Sequence, residues 1–179
     1  MHDSSFRRRR FLEGLGALPL LSLVPGATRA QGKPIVIGLP LAQSGPAGVA
    51  DHTDHLNGAK LAVAEINAAG GVLGRPIELK IVDTDIMTPE GTQAAFRKLA
   101  DLKVHAISSP FVLIPQPAMD ALGGHKAPYL NGNTQQAAVD LVKKNPQKYG
   151  HVFQMDPPET YYGLGFPIFL EQLQASGAW

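Results

Sequence analysis

Leu56-Asn57-Gly58-Ala59-Lys60-Leu61-Ala62-Val63-Ala64-Glu65-Ile66-Asn67-Ala68-Ala69-Gly70-Gly71, followed after a short turn by Ile77-Glu78-Leu79-Lys80-Ile81-Val82-Asp83, decides the fold. In the first piece Leu56, Ala59, Val63 and Ile66 recur at spacings of three and four, which predicts one apolar helix face. The glycine pair Gly70-Gly71 stops that helix. The second piece alternates apolar and polar residues, the period of a strand. Upstream, the β-branched apolar run Ile35-Val36-Ile37-Gly38-Leu39 predicts a buried strand. Strand, helix and strand with short connections make a βαβ unit, and the helix is expected to begin near Asp51.

The same alternation continues downstream. Thr88 is a helix N-cap with Pro89 at the first helical position, and that helix runs to about Asp101. Val104 to Ser108 predicts a third strand. A proline-rich loop, Pro110 to Pro117, leads into a helix from about Gln116 to the Gly123-Gly124 stop. Pro128 to Leu130 predicts a short fourth strand and Asn131 to Thr134 a polar loop. After a less regular stretch, His151 to Met155 predicts a fifth strand, and Glu159 to Ala175 a last helix with a kink at Pro167. The fold class is α/β: a doubly wound, mostly parallel sheet with helices on both faces. Ligands of such sheets sit beyond the C-terminal ends of the strands, which selects the loops 40–51, 83–89, 108–116, 131–137 and 155–160.

The chain has 179 residues, enough for one domain. Its composition, 44% hydrophobic and 17% charged, is that of a globular protein. A net charge of +1 excludes the strongly basic surface of a nucleic-acid binder. The lack of cysteine excludes disulfides, cysteine-ligated metals and a thiol nucleophile. The basic residues are bunched at the N-terminus. Arg7 to Arg10 precede the apolar run Leu15 to Val24, and Thr28 and Ala30 are small residues suited to a cleavage site. Residues 1–30 therefore read as a signal peptide, too short in its apolar run to span a bilayer. Arg8-Arg9-Arg10-Phe11-Leu12 resembles the twin-arginine export signature, which implies a periplasmic destination. Cleavage after Ala30 would remove Arg7 to Arg10, Arg29, Asp3 and Glu13, leaving a net charge of about −2.

Several motifs together resemble the periplasmic solute-binding proteins of the branched-chain amino-acid type, which serve ABC importers. They are Ile35 to Leu41 with Ser44-Gly45-Pro46; Asn57 to Gly71 continuing through Leu73-Gly74-Arg75-Pro76 to Asp83-Thr84-Asp85; Pro89 with Ala94 to Leu99; Ala127-Pro128-Tyr129-Leu130 leading to Thr134; and Val152-Phe153-Gln154. The resemblance covers about residues 34–175. It implies a type I periplasmic-binding-protein fold, in which two α/β lobes close on a small solute and a membrane permease receives it. It implies no enzymatic activity, cofactor or metal. Residues 31–179 would supply an N-terminal lobe only, so the sequence is expected to be part of a longer chain.

The resemblance also places the solute contacts. In the family the loops after the third and fourth strands hold the solute, which points here to Ser108, Ser109, Phe111, Val112, Asn131, Asn133 and Thr134. Thr134 matches the family threonine. The loop Pro110-Phe111-Val112-Leu113-Ile114-Pro115 departs from the family's serine and glycine, with Val112 at the familiar serine. Its apolar character favours an amino-acid-like solute or a small organic acid with a bulky apolar or aromatic part, packed on Phe111. Asp51-His52-Thr53-Asp54-His55 has metal-like spacing, but its acidic residues also suit a helix start; Asp51 and His52 are possible cleft contacts. Asp83 and Asp85 have the pairing of acid–base carboxylates but read as carboxylates that fix loops, and Tyr161-Tyr162 as residues packed under the last helix, with the cleft as their alternative. A ligand sensor built on the same lobes, and a metal-dependent hydrolase built on Asp51 to His55, are the alternatives to import.

Overall fold

The structure, a computed structural model, describes residues 32–178. The signal peptide lies outside the described residues. Five strands form one parallel sheet in the order β2-β1-β3-β4-β5: β1 Ile35–Leu41, β2 Ile77–Asp83, β3 Ala106–Ser109, β4 Tyr129–Asn131 and β5 Val152–Gln154. Between them run α1 Val49–Ala68, α2 Pro89–Asp101, α3 Pro115–Ala121, α4 Gln136–Lys144 and α5 Pro146–Tyr149, and α6 Glu159–Ala175 follows β5. The expected alternation and parallel pairing are present. The order reverses between β1 and β3, the switch point at which ligands bind in open sheets.

Local chemistry explains the first βαβ unit. The Gly71 N–H donates to the Ile66 carbonyl at 2.9 Å, with Gly70 and Gly71 both at positive φ, the usual closure of a helix by glycine. The Asn67 side-chain amide then binds both backbone groups of Ile77: Nδ2 donates to its carbonyl at 2.9 Å, and its N–H donates to Oδ1 at 2.7 Å. That pairing fastens the end of α1 to the start of β2. Arg75 Nε and Nη2 donate to the carbonyls of Lys33 and Pro34, tying the same turn to the start of β1. On α2 the Thr88 hydroxyl accepts from the Gly91 N–H at 3.2 Å, with Pro89 beginning the helix.

The two faces of the sheet are covered unequally. On one, α2 and α3 bury Phe96, Leu99, Met119 and Leu122 together with Ile107 and Tyr129 of the strands. At Gly38 a Cβ would lie 2.9 Å from Leu99, so the glycine lets α2 sit close on β1. The opposite face carries α1, whose buried residue is His52. Leu130 and Phe153 point to that side and are 38% and 51% exposed.

Several boundaries differ from the expectation. α1 starts at Val49 with Gly48 as its N-cap, earlier than Asp51. β3 begins at Ala106 rather than Val104, whose side chain is buried just before the strand. The stretch read as less regular contains α4 and α5. α6 continues through Pro167 from Glu159 to Ala175, and it buries none of its residues. Among the described residues no helix is long and apolar enough to cross a membrane.

Candidate functional site

At the C-terminal end of the sheet, β3, β4 and the first turns of α1 border an open cleft of about 470 Å³. Asp51 and His55 line it from α1, Ser108 and Ser109 from β3, and Leu130 from β4. Gly132, Met155 and Asp156 complete it from the following loops. Its shape depends on a close crossing of two loops. A Cβ on Gly132 would stand 2.2 Å from the Pro110 carbonyl oxygen, so only glycine lets the loop after β4 pass under the loop after β3. The Gly132 N–H donates to the Ser109 carbonyl at 2.9 Å and locks the crossing.

Strand alternation separates the two serines. Ser108 faces α1, where its Oγ is hydrogen-bonded with His55 Nε2 at 3.2 Å. Ser109 faces the core, where its Oγ is bonded with the buried Tyr129 hydroxyl at 2.8 Å. That hydroxyl donates to Asn131 Oδ1, which also accepts the Asn133 N–H. Asn133 Nδ2 donates to the Val112 carbonyl at 2.7 Å. Ser109, Asn131 and Asn133 thus form a buried polar chain that holds both loops. Burial pushes the Tyr129 hydroxyl well above its usual range and keeps it a neutral donor.

The remaining expected contacts are distributed differently. Val112 is fully buried in the core, so its side chain faces away from the cleft and its carbonyl serves as an acceptor. Phe111 is half-buried and meets the His52 ring edge-on, with centroids 4.9 Å apart. His52 itself is 1% exposed and turned inward. Its Nδ1 accepts the Ala42 N–H at 2.7 Å, which fastens α1 to the end of β1 and fixes the neutral tautomer with the proton on Nε2. Burial, then the neighbouring His55, lowers its pKa. Thr134 lies outside the cleft lining; its carbonyl accepts the Glu159 N–H. Of the two helix-start residues named as contacts, Asp51 is on the cleft and His52 is not.

His55, Leu130, Met155 and Asp156 line the cleft without having been read as solute contacts. His55 is one turn beyond His52 on α1, and that spacing was visible. Burial lowers the His55 pKa, so the ring is neutral at neutral pH. Among the described residues no three His, Asp or Glu side chains converge on a metal-sized point. Asp83 fixes the loop after β1: its carboxylate accepts the N–H groups of Gln43 and Ser44 and the Ser44 hydroxyl. Asp85 accepts from the Met87 N–H and the Thr88 hydroxyl, so it braces the start of α2.

This sheet, its switch-point cleft and its loop crossing define a class. The family described as periplasmic binding protein matches residues 34–169, and the chain belongs to it. The chain resembles a crystal structure from Silicibacter pomeroyi described as a candidate branched-chain amino acid ABC transporter. The identity is 34% and the TM-score 0.74, over 80% of this chain and 36% of that one. The substrate-binding protein LivJ of a branched-chain amino acid transporter from Streptococcus pneumoniae, in complex with isoleucine, is 26% identical. Its TM-score is 0.60, over 70% of this chain and 34% of that one. An ABC transporter substrate-binding protein from Desulfitobacterium hafniense, in complex with Leu, is 25% identical. There the TM-score is 0.61, over 79% and 39%. The chain therefore spans little more than a third of the length of these relatives. None of the curated proteins matches it.

Proposed function

We propose that the chain is the N-terminal lobe of an exported solute-binding protein that delivers a small organic solute to the permease of an ABC importer. The carrying observation is the cleft at the C-terminal ends of β3 and β4, in a lobe whose fold matches the family over residues 34–169. The solute is amino-acid-like with an apolar body. Two relatives at 25–26% identity are described with isoleucine and Leu, and Leu130, Met155 and Pro110 give the cleft apolar surface. Ser108 and Asp51 touch the solute directly, while Ser109, Asn131 and Asn133 hold the loops that shape its site. Phe111, Val112 and Thr134 act at the rim and behind it.

The protein is non-enzymatic and reaches the periplasm by the twin-arginine route. A second lobe faces the cleft, and α6 leads toward it: the helix buries none of its residues here and carries Tyr161, Leu164, Phe166 and Phe169 exposed. Backbone amide shifts of the full chain, followed during titration with leucine and isoleucine, test the reading. Shifts confined to Asp51, Ser108 and Gly132 are expected. Their absence with every amino acid and small apolar acid tried, or turnover of one of these compounds, would overturn it.

A further inference from the structure

Helix α1 is 20 residues long, yet the one side chain it buries is a histidine. His52 fastens the first turns of the helix to the end of β1. Its Nδ1 accepts the Ala42 N–H at 2.7 Å, across the loop that joins the two elements. Its other nitrogen, Nε2, is buried without a hydrogen-bond partner. Gly48, the N-cap of α1, lies over that side of the ring. A Cβ there would stand 3.5 Å from Nε2 but only 2.7 Å from the Ile86 side chain, so that flank of the ring has no room for another atom. The Phe111 ring meets another side edge-on. His55, one turn further, ties the same segment to β3 through Ser108 Oγ.

One proton undoes this fastening. A neutral imidazole accepts at one nitrogen and donates at the other, whereas the charged ring donates from both. Protonated, Nδ1 would set an N–H against the Ala42 N–H, and Nε2 would still find no acceptor. Around the ring, α1 itself brings the titratable Asp51 and His55. The end of β1, the loop after β2 and the loop after β3 bring Ala42, Ile86 and Phe111, none of which titrates. Burial first, and then His55, disfavour the charged ring; Asp51 and the Phe111 backbone favour it, but less.

We propose that the start of α1 is an acid-released latch: neutral His52 holds the first turns of the helix on the end of β1, and on taking a proton its ring leaves the pocket for water and those turns come away. The far end of α1 stays in place, because Asn67 holds Ile77 with two hydrogen bonds that do not titrate. Asp51 and His55 border the cleft and move with the released turns, so the release opens the α1 wall of the cleft. The latch goes beyond the solute-binding reading and needs no solute to operate.

Amide hydrogen exchange of the full chain at about pH 7.5 and about pH 5.5, corrected for the intrinsic pH dependence of exchange, tests it without solute. The probes are the N–H groups of Ala42 and of His52, which donates to the Gly48 carbonyl, with Ile107 N–H of the central sheet as reference. Both latch amides should open more readily than Ile107 at either pH. A ring freed to its ordinary value of about 6.5 should raise their opening about tenfold over this range. His52→Asn offers an amide oxygen in place of Nδ1 and cannot titrate, so it should flatten that rise. Ala42 opening that stays constant with pH, that matches Ile107 throughout, or that rises undiminished in His52→Asn would overturn the inference. If the variant does not fold, the imidazole nitrogen shifts of the unaltered chain decide. A His52 ring that gains its charge as Ala42 loses protection supports the latch, and one that gains it while Ala42 stays protected overturns it.

Discussion

Gly132 and Asn67 show how single residues set geometry in this lobe, and each yields a test. At Gly132 the obstacle to any side chain is a backbone carbonyl, which cannot swing away as a side chain could. Gly132→Ala should therefore force the two loops apart and cost about 1–3 kcal/mol, the range for overpacking. Gly38→Ala meets only side-chain ends, those of Leu99 and Val104, and should cost less. Thermal melts of the two variants check the order; a milder loss at Gly132 would mean that the crossing is loose. Asn67 makes two hydrogen bonds to Ile77, and its removal leaves both backbone groups of Ile77 to find water. Asn67→Ala should cost about 1–3 kcal/mol in a denaturant melt, from about 0.5–1.5 kcal/mol for each bond. A loss near zero would show that solvent replaces both. The glycine pair ending α1 was legible as a helix stop from its residue types alone. The role of Asn67 was not, because its partner is ten positions away and becomes a neighbour only once the turn has formed.

Among the elements, those with long periodic sequences could be read directly: α1, β2 and α2 lie within two residues of their expected bounds. Helix α4 was missed although Ala138, Leu141 and Val142 have helical spacing and pack on the core, because Asn145-Pro146 breaks the pattern after nine residues. The strands β3, β4 and β5, of four, three and three residues, are too short for alternation to say which face each side chain takes. That ambiguity carried into the site. Ser108 and Ser109 are adjacent in sequence, yet one faces α1 and the cleft, and the other the core. Val112 read as a pocket residue and is fully buried. The last helix gives the sharpest prediction at this scale. α6 buries no residue, and its hydrogen bonds to the lobe come from its first two residues, Glu159 and Thr160. A chain ending at Pro158 should therefore still melt cooperatively, losing only what the exposed hydrogen bonds of Glu159 and Thr160 contribute, at most about 0.5–1.5 kcal/mol each. It should also self-associate less, since Tyr161, Leu164, Phe166 and Phe169 leave with the helix. Sedimentation and melting of both chains decide this, and a large loss of stability would mean that α6 packs on the lobe.

For the whole lobe, three histidines make stability depend on pH. His52 is buried with Nδ1 used on Ala42 and Nε2 unpartnered; His55 is partly buried at the cleft. His151 is 9% exposed, with both ring nitrogens unpartnered. Burial lowers the pKa of each, and the charges of Lys126 and His125 add to it at His151. The unfolded chain binds protons at the ordinary imidazole value of about 6.5, whereas the folded chain resists them until the pH is lower. Between those values the unfolded state holds more protons, so folding stability rises with pH. The contribution is complete above about pH 6.5 and is lost as the pH falls through the lowered folded values. Carboxylates do not confuse this window. Asp83, whose pKa is depressed by the Ser44 hydroxyl and the Gln43 N–H, begins to lose its contribution only near the ordinary carboxylate value of about 3.9. The melting temperature should therefore fall between about pH 7.5 and about pH 5.5. The fall should be smaller in His151→Phe, which replaces an unsatisfied buried ring with an apolar one. A melting temperature that rises on acidification would mean that the folded lobe prefers charged imidazoles, and the inward, neutral placement of His52 on Ala42 would then be wrong.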